Sequence, residues 1–75
     1  MSLAALCNHI ADRLCVDRER ISVELRGKFS YFLVDGKLTN ARIDVGMLQD
    51  LRVYCGINPV LELAEMLAEE LRRNL

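Results

Sequence analysis

The stretch Phe29-Ser30-Tyr31-Phe32-Leu33-Val34, followed directly by Asp35-Gly36, limits what this chain can fold into more than any other part of it. Aromatic and β-branched side chains pack well on a pleated surface, and Asp-Gly supplies the two left-handed residues that a tight hairpin turn needs. The run is therefore a strand, and Lys37 to Ile43 returns beside it. A two-residue turn pairs Val34 with Lys37, Leu33 with Leu38 and Tyr31 with Asn40. Upstream, Ile21-Ser22-Val23-Glu24-Leu25 alternates with period two, and Gly27 turns the chain into Phe29. The expectation is a three-stranded antiparallel meander with the Phe29 to Val34 strand in the middle.

Successive side chains on a strand point to opposite faces, so the length of the turn at Gly27 decides which residues meet. With two or four residues in the turn, Ile21, Val23 and Leu25 share a face with Ser30, Phe32, Val34 and Ile43. Phe29, Tyr31, Leu33 and Leu38 then gather on the other face. With three residues, Ile21, Val23 and Leu25 join Phe29, Tyr31, Leu33 and Leu38 instead. In either register the middle strand is apolar on both sides, unlike a sheet with one wet face. Something has to cover the second face: helices divided between the two faces, a second copy of the chain, or a different partner.

Leu3, Leu6, Cys7, Ile10 and Leu14 recur at helical spacing across residues 2 to 16, with Ser2 as N-cap, until the polar run Asp17-Arg18-Glu19-Arg20 breaks the pattern. After the sheet, Asp44 caps a short helix carrying Val45, Leu48, Leu51 and Cys55, with Gly56 at its end. Asn58-Pro59 reads as N-cap and first residue of a last helix. Its stripe is Val60, Leu63, Leu67 and Leu71, widened by Ala64, Ala68 and Leu75, while Glu62, Glu65, Glu69, Arg72 and Arg73 face outward, Glu69 four before Arg73. The expected fold is α+β: an N-terminal helix, a three-stranded antiparallel meander and two C-terminal helices (α-β-β-β-α-α), in a single small domain over residues 1–75.

With 75 residues there is room for one core, and a domain this small gains little more from apolar burial than it loses in chain entropy. Disulfides, a metal or a partner subunit commonly make up the difference. Cys7, Cys15 and Cys55 are odd in number and follow no basic leader, so they read as reduced thiols, with Cys7 and Cys15 buried on the first helix. Apolar runs fall short of the roughly 18 residues of a membrane span. The chain is expected in the cytoplasm, off the membrane. Its formal charge is -1, from 10 basic and 11 acidic residues, and most of the basic ones lie before Ile43.

Catalytic and metal-binding patterns are missing. His9, the only histidine, stands two residues from Cys7, and on a helix that spacing turns the two side chains away from each other. The cysteines and His9 offer neither CxxC nor an i, i+4 ligand pair, the glycines stand singly, and the acids lack a calcium-loop spacing. No catalytic residue, cofactor or metal is expected. The order α-β-β-β-α resembles that of double-stranded-RNA-binding domains, which place a lysine cluster at the start of the helix after the sheet. Here that position reads Asp44-Val45-Gly46-Met47, so only the element order is shared.

What remains is a small non-catalytic protein-binding regulator or inhibitor, expected as a homodimer. In general character it is similar to the accessory proteins of phages and mobile elements, anti-CRISPR proteins among them. Its candidate contacts are Phe29, Tyr31, Leu33, Leu38 and Arg42 on the sheet and Glu62, Glu65 and Glu69 on the last helix. The alternative is a nucleic-acid binder that stacks bases on the sheet aromatics and holds phosphates with Arg26, Lys28 and Arg42.

Overall fold

The computed structural model describes residues 3–44, 46 and 57–73, with backbone only at 57–59. Helix α1 (Leu3–Leu14) leads through a 3-10 turn (Arg18–Arg20) into strands β1 (Ile21–Arg26), β2 (Phe29–Val34) and β3 (Lys37–Asp44), and helix α2 (Ile57–Arg72) follows. The strands form an antiparallel sheet in the order β1-β2-β3, the expected meander with β2 central. The expected second helix, with Val45, Leu48, Leu51, Cys55 and Gly56, lies outside the described residues, as do Ser2 and Leu75.

Two tight turns set the register. Gly27 has φ 61°, and Lys28 after it keeps an ordinary negative φ, the pattern of a type II′ turn. That two-residue loop pairs Arg26 with Phe29, Val23 with Phe32 and Ile21 with Val34, which selects the first of the two possible faces. At the second turn Asp35 (φ 54°) and Gly36 (φ 77°) are both left-handed, as type I′ requires. The turn is latched to the start of β1. Arg20 donates to both oxygens of Asp35 at 2.8 and 2.6 Å, and the Asp35 N–H donates to the Arg20 carbonyl at 2.9 Å. Hydrogen bonds from the guanidinium hold the Asp35 carboxyl below its ordinary range.

The β2–β3 pairing starts as expected, Val34 with Lys37 and Leu33 with Leu38, but Tyr31 sits opposite Arg42 rather than Asn40. Between those pairs β3 carries two extra residues, a bulge that sequence periodicity does not reveal. Two is an even number, so the inward and outward alternation of β3 survives it. Thr39 fills the irregularity: its hydroxyl donates to the Phe32 carbonyl at 3.2 Å and accepts from the Ala41 N–H at 3.0 Å.

Both described helices pack on one face of the sheet rather than dividing between the two. Phe32, Val34, Ile21, Ala41 and Ile43 meet Leu6, Cys7, Ile10 and Ala11 of α1 and Ala64, Leu67, Ala68 and Leu71 of α2. Ala64 and Ala68 are small, which lets α2 approach its neighbours closely. Ser30 lies on the same face, fully buried, and its hydroxyl has no partner among the described residues. The radius of gyration, 11.4 Å, is that of a compact chain of this length. Among the described residues no helix is long and apolar enough to cross a membrane.

The helix ends depart from expectation in three places. Helix α1 stops at Leu14, and Cys15, expected buried on the helix, is exposed with φ 56°. Its N–H bonds to the Asp12 carbonyl at 3.2 Å and the Val16 N–H to Ala11 at 3.1 Å, the bond pair of a Schellman cap. Glycine normally occupies that left-handed position, because a Cβ there crowds the following carbonyl. Cys15→Gly is therefore expected to stabilise the domain by about 0.5–1 kcal/mol, read as a higher urea midpoint with an unchanged m-value. Helix α2 begins at Ile57, ahead of the expected cap, which puts Pro59 third, where its missing N–H still costs no helical bond. At the far end Glu69 pairs with Arg72 and Glu70 with Arg73, in place of the expected Glu69 with Arg73. Arg72 is drawn that way because it also donates to the Arg13 carbonyl at the end of α1, at 3.1 Å.

Candidate functional site: the outer face of the sheet

With the core on one side, the other face of the sheet carries Phe29, Tyr31 and Leu33 along β2, all half-buried, and Leu38 on β3, 45% exposed. These are the four apolar sheet contacts expected from the sequence, and the register brings them together. Phe29 and Tyr31 meet edge to face with ring centres 6.4 Å apart. The bulge then delivers Arg42 beside them, its guanidinium 5.4 Å from the centre of the Phe29 ring and 6.0 Å from that of Tyr31. Lys28, from the β1–β2 turn, places its ammonium 5.6 Å from the Phe29 ring. A cation over an aromatic face is held there by the ring quadrupole.

Two acids complete the surface, and the sequence reading missed both. Glu24 lies across β2 from Arg42, on the far side of Tyr31, and Asp44 lies across from Arg26, on the far side of Phe29. Only the strand register, read row by row, picks them out. Glu24 also makes an exposed ion pair with Arg26 at 3.2 Å. Asp44 accepts the Gly46 N–H at 2.8 Å, the bond that an N-cap makes. The outer face is thus an apolar strip bordered on each edge by one acid and one base.

Glu62, Glu65 and Glu69 are brought together elsewhere, on the exposed side of α2, around Met66, which is 70% exposed. This ridge belongs to a different side of the molecule, because α2 packs on the sheet's inner face. Among the described residues the thiols and the imidazole form no constellation. Cys7 is buried in the core, where desolvation pushes its thiol pKa up against a smaller downward pull from Arg18. His9 is half-buried, and Cys15 sits exposed at the end of the helix. Among the described residues no three of His, Cys, Asp or Glu stand close enough to hold a metal. No protein-family model matches this chain, and neither a curated protein nor a solved structure does.

Proposed function

We propose that this chain is a small non-catalytic protein-binding regulator that docks its partner through the outer face of the sheet. The observation that carries the reading is the placement of both described helices on the inner face. Phe29, Tyr31, Leu33 and Leu38 are left in a contiguous strip among charges, and an apolar patch rimmed by polar residues is the usual mark of a protein contact. The acidic ridge of α2, with Met66 at its centre, is a second surface on which a regulator of this kind engages a basic target. Nucleic acid draws less support. Arg26 is paired with Glu24, Lys28 and Arg42 lie over the ring on which a base would stack, and Glu24 and Asp44 repel phosphate.

Affinity capture from the native lysate with tagged wild type, Leu33→Asp and Glu65→Lys, each with and without nuclease, tests the reading. A stoichiometric protein that survives nuclease, stays with Glu65→Lys and is lost with Leu33→Asp is the expected result. Equal capture by wild type and Leu33→Asp, or capture that nuclease abolishes, overturns it.

A further inference from the structure

The charges bordering the outer face are arranged to fit the same face turned over, and we infer that its occupant is a second copy of this chain. The inference rests on the docking reading above and deepens it by naming the partner. Cross-strand pairing sorts the face into rows. One row runs Glu24, Tyr31, Arg42 from β1 to β3, and the next runs Arg26, Phe29, Asp44. Acid and base therefore exchange edges from one row to the next.

A symmetric face-to-face contact needs a two-fold axis lying in the interface, and two directions are open. With the axis along β2, strand β1 of one copy lies over β3 of the other. Glu24 then faces Arg42 of the second copy, Arg26 faces its Asp44, and Phe29, Tyr31 and Leu33 stack on their own counterparts along the axis. Each pair forms twice by symmetry. With the axis across the strands and through one row, Glu24 faces Glu24 and Arg42 faces Arg42, and like charges brought together select against that arrangement. With the axis midway between the two rows, Glu24 faces Arg26 and Arg42 faces Asp44, but Leu33 is carried over the Gly27 turn of the second copy and loses its apolar cover. Only the first solution both pairs every charge and keeps the whole apolar strip in contact. It also satisfies aligned sheet packing, in which strand directions differ by about 30°.

The residues are ready to make these contacts. The exposed Glu24–Arg26 pair contributes little to the monomer, so Glu24 can exchange it at small cost. Arg42 is held at the surface by the two rings beneath it. Size sets the strength. Three strands about 4.8 Å apart and six residues long make a face about 14 by 20 Å, roughly 300 Å² per copy. That is well under the roughly 800 Å² per partner of a standard stable interface, so the dimer dissociates in the micromolar range or above.

Sedimentation equilibrium of the full chain from about 5 µM to about 1 mM spans that range. The wild type is expected to pass from monomer to dimer across it. Arg42→Glu and Glu24→Arg each set like charges opposite one another and weaken association about tenfold or more. Mixing the two variants in equal amounts restores it. The arginine introduced at position 24 of one then meets the glutamate introduced at position 42 of the other, and the native Glu24 and Arg42 meet as before. Circular dichroism shows whether each variant is folded, and Arg26→Glu with Asp44→Lys repeats the test on the second pair. A wild type that stays monomeric overturns the inference while the capture experiment still judges the docking reading. Dimerisation unaffected by either single variant, or a mixture that fails to associate, overturns it as well.

Discussion

Phe32→Ala is expected to remove from about a quarter to all of the domain's stability, whereas Tyr31→Ala, one residue away, costs about 1 kcal/mol or less. Phe32 is fully buried at the centre of β2, between the sheet and both helices, and is the largest fully buried side chain among the described residues. Truncating such a residue costs about 3–5 kcal/mol through lost burial and the cavity left behind. A domain of 75 residues has only about 4–11 kcal/mol in total. Tyr31 points the other way and is half-buried among Phe29 and Arg42, so its loss removes contact area from the surface and leaves the core intact. Urea unfolding at low micromolar concentration, where a second copy contributes least, separates the two. The expected outcome is a midpoint lowered by about a quarter or more, or no cooperative transition, for Phe32→Ala, and a small shift for Tyr31→Ala. Equal losses would mean that β2 does not divide its side chains between core and surface in this way.

That contrast was half legible in the sequence. The run from Phe29 to Val34 announces a strand apolar on both faces, and Asp35-Gly36 fixes its second turn, because these signals are local and strong. Which set forms the core depends on the number of residues in the turn at Gly27. A glycine followed by lysine is compatible with several loop lengths. Helix α2 was legible in its stripe because Val60, Ala64, Leu67, Ala68 and Leu71 follow the helical period and all are buried. The end of α1 was not. An apolar Cys15 after Leu14 continues the pattern, and a left-handed cap built on cysteine leaves no glycine to mark it. The candidate surface shows the same division. Its apolar residues and its cations were visible as residue types, but Glu24 and Asp44 become members only through their positions across the sheet from Arg42 and Arg26.

The bulge in β3 ties stability to that surface, and Thr39→Val tests the link. Thr39 is 7% exposed, and its hydroxyl serves the Phe32 carbonyl and the Ala41 N–H where the regular ladder is interrupted. Valine has nearly the same shape but can neither donate nor accept, so two backbone groups lose a partner inside the sheet. The expected cost is about 1–3 kcal/mol, while Thr39→Ser, which keeps the hydroxyl, stays closer to wild type. Register is the second readout. Without the hydroxyl to hold the two extra residues, β3 can relieve the loss by slipping to the regular pairing, with Asn40 opposite Tyr31. Such a slip keeps every side chain on its face but moves Arg42 from its place opposite Tyr31 to one opposite Phe29, where it stands across from Arg26 instead of Glu24. Nuclear Overhauser contacts between the Tyr31 ring and the Arg42 side chain report this directly. They are expected to persist in Thr39→Ser and to weaken in Thr39→Val together with self-association. Full retention of both stability and those contacts in Thr39→Val would show that the backbone alone holds the bulge. On this reading a threonine with a local hydrogen-bonding role decides whether Arg42 stands across from Glu24 or from Arg26, and through it the charge pattern that the outer face presents.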